Sequence, residues 1–397
     1  MLFRRLRLPV LLVPAIAGLF ACSSVHSPGE VAREEAEYAE LPDYSGTPAV
    51  PVTNNMRQAH FSEMPGWGND DVREAWPAFV GSCSVLERRA QWRAVCERSR
   101  QVNSADARAV RHFFEYNFLP YKMVADDGNE RGLVTGYYEP LLQGSRKQQG
   151  VYQTPLHAAP PDLVTINPAT APPEVKGYLK GRRVGTKIVP YWTRAELFSS
   201  SVLKGREIVW VDDPVEAFFL QVQGSGRVYL AETNETIRVA FADQNGHTYK
   251  SIGRYLVDKG EMTLSQASAQ SIKKWIKDNP ARERELFNAN PRYVFFREEK
   301  VTDPSIGPRG ALNVPLTGER SIAIDPSLVP LGAPVFLATT QPNSNAPLQK
   351  LVMAQDTGYA IRGAVRADFF WGYGYAAGER AGSMKQQGEV WVLLPKE

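Results

Sequence analysis

Two aspartates, Asp356 and Asp368, stand twelve residues apart in the stretch 351–394, LVMAQDTGYAIRGAVRADFFWGYGYAAGERAGSMKQQGEVWVLL. Each falls where a strand should end. Residues 351–354 are a short apolar run without a helix cap, Asp356-Thr357-Gly358 has turn chemistry, and a second apolar run begins at Phe369. A carboxyl beside Phe369, Phe370, Trp371 and Tyr373 loses hydration, which favours its protonated form and suits a general acid near neutral pH. The same rings suit the faces of sugars. By spacing alone, the two acids read equally well as turn residues of a β-rich core.

Two upstream segments have the make-up of a binding surface. Residues 132–140, GLVTGYYEP, form a strand running into a turn, and it presents Thr135, two tyrosines and Glu139 together. That is more polar than a core strand needs and points to a groove, with a plain aromatic strand as the alternative. Glu139 is the nearby candidate for a second catalytic carboxylate. Residues 208–212, 217–223 and 227–231 read as three strands, the last two joined through Gly224-Ser225-Gly226 as a hairpin turn.

Together with Ser321-Ile-Ala-Ile-Asp325-Pro, the 351–394 stretch resembles the three-aspartate domain of MltA-type membrane-bound lytic murein transglycosylases. The family pattern is an Ala-x-Asp-Pro, an Asp-x-Gly-x-Ala-Ile-Lys/Arg-Gly and a final Asp before an aromatic residue. The resemblance makes Asp368 the single catalytic acid and Asp356 and Asp325 the acids that shape its surroundings. Tyr359 departs from the pattern, standing where a glycine is often found. Thr135-Gly136-Tyr137-Tyr138 resembles the family's cleft-lining motif. Gln221-Val-Gln223-Gly224-Ser225-Gly226 resembles a segment on the wall facing the acid, where Gln223 and Ser225 would hydrogen-bond sugar hydroxyls or the acetamido group.

The fold implied is mainly β with some helices, an α+β chain. Its double-psi β-barrel would be made of residues 45–140 and 298–397, with the three-aspartate domain at 311–397. A second, mostly β domain at 141–297 would be inserted, leaving a groove between the two. The activity implied is that of a lyase without a cofactor. It would cleave the β-1,4 bond between N-acetylmuramic acid and N-acetylglucosamine in peptidoglycan, form 1,6-anhydromuramic acid, and use one aspartate as acid and then as base. A glycoside hydrolase on the same barrel, with Asp356 or Glu139 activating water, and a non-catalytic lipoprotein that binds cell-wall glycan are the alternatives.

The whole chain sets bounds on these readings. A hydrophobic content of 43% over 397 residues excludes a disordered protein and is enough for two domains. The N-terminus has the form of a secretory signal: Arg4, Arg5 and Arg7 precede an apolar run too short to span a bilayer. Leu19-Phe20-Ala21-Cys22 resembles a bacterial lipobox, and Ser23-Ser24 after it resembles a lipoprotein sorted to the outer membrane. A lipidated Cys22 and a polar tether over 23–44 would hold the enzyme on the periplasmic face. An ordinary signal peptide with an incidental cysteine is the alternative. The formal charge is +3, from 46 basic and 43 acidic residues, so removing those three arginines leaves a balanced chain with no electrostatic case for nucleic acid. The expected partners are glycan strands and the outer membrane.

Cys83 and Cys96, an even pair in an oxidising compartment, read as a structural disulfide. Five scattered histidines, His26, His60, His112, His157 and His247, show no metal-ligand spacing, so no metal site is expected. Helical periodicity is found over 71–76, stopped at Pro77, and over 85–98 and 104–118. The Pro- and Gly-rich run 152–187 reads as a long irregular loop. Thr193 and Glu196 cap a short helix, and further helical faces are formed by Ile252, Tyr255 and Leu256, by Ile272, Trp275 and Ile276, and over 282–290. The stretch 297–310 reads as a crossing between domains. Beyond it the chain shows only short strands and no long helix, which argues for a small barrel.

Overall fold

The computed structural model describes residues 47–167, 169, 171, 175–178 and 180–397. The signal segment 1–22 with Cys22, and the tether 23–44, lie outside them. All elements below belong to the compact unit Asp43–Glu397.

The first strand, β1 (Met56–Gln58), is followed by three helices, α1 (Trp76–Leu86), α2 (Ala90–Ser99) and α3 (Ala107–Asn117). Pro77, expected to stop a helix, instead lies in the first turn of α1, where a missing N–H leaves nothing unpaired. The residues before it, Val72–Ala75, make a 3₁₀ turn capped by Asp71. The periodic run 85–98 is split between α1 and α2, and a Cys83–Cys96 disulfide ties the two helices together. Phe79, Phe114 and Phe118 pack edge-on or tilted with ring centres 5.2 to 5.9 Å apart. The chain then enters β2 (Phe118–Met123) and β3 (Gly132–Glu139).

After Pro140 the chain leaves for a second sheet. It passes through β4 (Leu141–Ser145), β5 (Thr154–His157), β6 (Val164–Thr165), β7 (Lys180–Val184), β8 (Lys187–Pro190), α4 (Arg194–Ser199) and β9 (Glu207–Val211). It continues through α5 (Pro214–Gln223), β10 (Ser225–Leu230), β11 (Glu235–Gln244), α6 (Ile252–Asp258), α7 (Ala269–Asp278), α8 (Glu283–Asn288) and β12 (Val294–Lys300). Six of these strands form one sheet in the order β12-β11-β10-β4-β9-β5, and β6, β7 and β8 form a small sheet of their own. The run 152–187 is thus not a structureless loop.

The expected strand at 217–223 is a helix, α5. Asp213 caps it by accepting from the amides of Val215 and Glu216, Pro214 fills its first turn, and Gly224 closes it in the left-handed region at φ +86°. Gly224-Ser225-Gly226 is therefore a helix stop running into β10, not a hairpin turn. A β-carbon at Gly226 would lie 2.5 Å from Leu220 Cδ1, so the glycine lets α5 fold closely over β10.

The chain returns with β13 (Ser321–Ile324), β14 (Pro334–Thr340), β15 (Pro347–Thr357), β16 (Ala367–Tyr373), α9 (Gly374–Ser383) and β17 (Lys385–Pro395). These strands join β1, β2 and β3 in the order β1-β2-β17-β14-β15-β13-β16-β3. Because β3 also pairs with β17, six strands close on themselves, giving the α+β barrel the resemblance implies. The pairs β13–β15 and β16–β3 are parallel. Helix α9 was not anticipated by the reading of short strands alone.

Val335, Phe336 and Leu337 on β14, and Leu351, Val352 and Met353 on β15, are all fully buried. Consecutive burial means both faces of the barrel wall are covered, the outer one by the N-terminal helices. Gln355 fixes α1 to β15 by donating to Ala78 O at 2.8 Å and Ser82 Oγ at 2.9 Å.

Where the two sheets meet, Glu139 is fully buried between Arg227 Nε at 2.8 Å and Arg238 Nε at 2.5 Å. The same guanidinium groups donate to Pro304 O and Ile306 O on the returning chain. Glu139 thereby pins the end of β3 to β10, β11 and the 304–306 segment. With both its oxygens occupied, it is not a second catalytic carboxylate.

Candidate active site

A groove of about 970 Å³ runs between the barrel and the second sheet, lined on one side by Thr135, Tyr137, Asp356 and Asp368 and on the other by Gln223, Gly224 and Ser225. Barrel registry assembles the first set. In the parallel β16–β3 pair, Asp368 stands opposite Thr135, while β13 brings Ala323 against Asp368 on its other side. Asp356 is the last residue but one of β15, opposite Ala323 of β13.

The Thr135 hydroxyl donates to Asp368 Oδ1 at 2.6 Å and accepts from Arg366 Nη2 at 2.9 Å. A guanidinium can only donate, so the threonine proton is directed onto Asp368. No described residue donates to Asp368 Oδ2. Burial raises the Asp368 carboxyl above its ordinary range, against the Thr135 hydrogen bond and the positive charge of Arg366. The free oxygen is thus the place for an acidic proton.

Asp356 has a different setting. Its Oδ1 accepts from the amides of Ala311 and Thr357, both at 2.9 Å, and its Oδ2 accepts from the Tyr137 hydroxyl at 3.0 Å. Burial lifts its pKa to about 6, and the three donors work against a larger rise. At neutral pH it is therefore mainly an anion with both oxygens engaged. Burial and the two aspartates push the Tyr137 phenol well up, so it stays a donor.

Not every expected site residue reaches the groove. Asp325 accepts from Ser327 Oγ at 2.7 Å and Gly363 N at 3.0 Å, and so fastens the 358–363 loop to the end of β13 behind the groove wall. Burial works to raise its pKa, but these hydrogen bonds prevail and hold it low. Gly136 lies between two groove residues on the other face of β3. A β-carbon there would stand 2.7 Å from Trp371 Nε1 and 2.9 Å from Ala381 Cα, so its smallness serves packing of β3 against β16 and α9. Gly226 likewise belongs to packing. Gln223 accepts from the Tyr138 amide at 3.1 Å, which ties the second sheet's wall to β3 and turns the side-chain amide to the groove. Arg366 and the Ala311 amide were missed by sequence reasoning. The signal for Arg366 was its place two residues before Asp368, which puts it on the same face of an extended chain. Among the described residues no group of three or more His, Cys, Asp or Glu could hold a metal ion.

A carboxyl with one free oxygen, an ionised neighbour, and a groove broad enough for several rings are what a polysaccharide-cleaving enzyme needs. Family models match in two places, the MltA specific insert domain over residues 133–297 and the 3D domain over 320–394. The crystal structure of MltA from Neisseria gonorrhoeae, monoclinic form, is 37% identical, with 90% of this chain and 97% of that one covered and a TM-score of 0.77. Membrane-bound lytic murein transglycosylase A of Escherichia coli K12 is 28% identical over 396 residues, covering 97% of this chain and 94% of that protein. The crystal structure of E. coli MltA with bound chitohexaose is 25% identical, with 88% of this chain and 97% of that one covered and a TM-score of 0.65. The chain belongs to the MltA family of lytic murein transglycosylases. No helix among the described residues is long and apolar enough to cross a membrane.

Proposed function

We propose that the protein, a peptidoglycan lytic transglycosylase, cuts the β-1,4 bond between N-acetylmuramic acid and N-acetylglucosamine with Asp368 as its only proton carrier. Asp368 Oδ2 gives its proton to the glycosidic oxygen as the bond to the muramyl C1 breaks. Positive charge develops at C1 and the ring oxygen, where ionised Asp356 stabilises it. The Asp368 carboxylate then takes the proton of the muramyl C6 hydroxyl as that oxygen closes on C1. The products are a 1,6-anhydromuramoyl end and a free 4-hydroxyl on N-acetylglucosamine, no water is consumed, and Asp368 ends protonated as it began. Thr135, Tyr137, Gln223 and Ser225 orient the glycan.

The observation that carries this reading is the asymmetric hold on Asp368, one oxygen fixed by Thr135 and the other open. A hydrolase needs a second carboxylate. Glu139 is spent on two arginines and both Asp356 oxygens already accept hydrogen bonds. The same reading divides the chain at 140/141 and just after Lys300, later than the expected 297/298 because β12 pairs with β11 as far as Lys300, with the segments before and after forming the catalytic domain. It also places the enzyme on the periplasmic face of the outer membrane through a lipidated Cys22.

The test is mass spectrometry of muropeptides released from sacculi by protein lacking residues 1–22, beside Asp368→Asn. Anhydro ends from the first and none from the second are expected. Products heavier by one water would make it a hydrolase, and an undiminished Asp368→Asn would remove that residue from the chemistry.

A further inference from the structure

The groove is strongly basic in a chain whose charges nearly cancel. Six arginines line it, Arg194, Arg292, Arg297, Arg309, Arg362 and Arg366, against two lining carboxylates among the described residues, Asp356 and Asp368. Three of the six are committed. Arg194 is buried and donates to Gln221 Oε1 and to Asn290 O and Arg292 O, Arg297 pairs with Glu299 at 2.7 Å, and Arg366 serves Thr135 and two carbonyls.

The other three have donors to spare. Arg309 is exposed and gives one donor to Asn313 O at 2.6 Å. Arg362 is exposed, gives one donor to Ile361 O, and comes no nearer than 3.8 Å to Asp325. Arg292 is half-buried over the Tyr359 ring at 5.3 Å, and no carboxylate among the described residues pairs with it. A guanidinium offers five N–H donors in a fork matched to a carboxylate, so these three present several unmet hydrogen bonds toward one channel. Arg292 stands on the second-sheet wall, Arg309 and Arg362 on the barrel side.

A neutral N-acetylglucosamine polymer offers them only uncharged acceptors, with no carboxylate to match the fork. Every muramyl residue offers one, because its C3 lactyl ether ends in a carboxyl that is either free or extended by an acidic peptide. We propose that Arg292, Arg309 and Arg362 seat the carboxylates carried by muramyl residues, and so select an anionic glycan over a neutral one. This rests on the reading of the protein as a peptidoglycan-cleaving enzyme, but its test needs no turnover.

The experiment uses Asp368→Asn protein lacking residues 1–22, titrated at low and high salt with three glycans of equal length. These are chitohexaose, a muramyl glycan stripped of peptide, and the same glycan with its peptides. At low salt the muramyl glycans are expected to bind at least about tenfold more tightly than chitohexaose, the worth of one charge-assisted hydrogen bond. Salt should shrink that advantage. Arg309→Gln with Arg362→Gln, both at exposed positions, should abolish it and leave chitohexaose affinity as it was; Arg292→Gln should reduce it. Tight binding of the stripped glycan assigns the seat to the lactyl carboxylate, and tight binding of the peptide-bearing glycan alone assigns it to peptide carboxylates. Equal affinity for all three glycans, or discrimination that survives the double substitution, overturns the proposal. A hydrolase would pass this test too, so failure of the seat is separable from failure of the anhydro chemistry.

Discussion

Asp356 is held in the groove wall with its pKa lifted by burial from the ordinary 3.8 to about 6, and Asp356→Asn exploits that lift. A carboxyl whose folded-state pKa lies above its unfolded value takes up its proton more readily when folded, so folding disfavours its ionised form. The cost is absent below 3.8, grows between 3.8 and about 6, and is complete above about 6. Two pH units correspond to about 3 kcal/mol at neutral pH. Asparagine keeps the shape and one acceptor oxygen, but it weakens the set of bonds from Ala311, Thr357 and Tyr137 by about 1 kcal/mol. The substitution is therefore expected to stabilise the fold by roughly 2 kcal/mol at neutral pH and to destabilise it by about 1 kcal/mol near pH 4. Denaturant unfolding followed by tryptophan fluorescence at the two pH values measures this directly, and the contribution of Asp368 largely cancels in the difference between the proteins. Turnover should fall about a hundredfold or more as the anion facing the developing charge is lost. A stability difference of the same sign and size at both pH values would refute the reasoning.

Glu139→Gln leaves Arg227 and Arg238 buried without their carboxylate and should cost about 3–5 kcal/mol in denaturant unfolding. The folded fraction should still release anhydro-muropeptides; loss of turnover at unchanged stability would reinstate Glu139 as a base. Thr135→Val removes the hydrogen bond that, among the described residues, favours ionised Asp368, so its pKa rises further and the alkaline limb of the kcat/KM profile should move to higher pH; an unmoved limb would break the link between the two residues. Gly136→Ala forces a methyl group against Trp371 and α9 and should cost about 1–3 kcal/mol, read as a lowered unfolding midpoint.

Strands with alternating or continuous apolar character and their flanking turns could be read locally, which is why β13 to β15 and the placement of Asp356 at a strand end emerged from the residues. Helix α5 could have been read as well, for Asp213, Pro214 and Gly224 are its start and stop signals. The apolar run Ala217 to Leu220 outweighed them because a buried helix and a buried strand look alike over so few residues. Barrel closure was out of reach of local patterns. It depends on β3 slotting between β16 and β17, and the hydrogen bond from Thr135 to Asp368 spans 233 positions of sequence. For the same reason Gly136 looked like part of a binding motif, since the indole that demands its smallness comes from Trp371. The charge of the groove was invisible too, because its arginines arrive from distant segments of a chain that is balanced in sum.

Thr135 is paired on both sides, with Asp368 in β16 and with Lys385 in β17, and β17 ends at Pro395 of a chain of 397 residues. A polypeptide broken off before β17 would contain all three acidic motifs and yet leave β3 an open edge. β17 thus completes the setting of Asp368 without carrying any of the three acids.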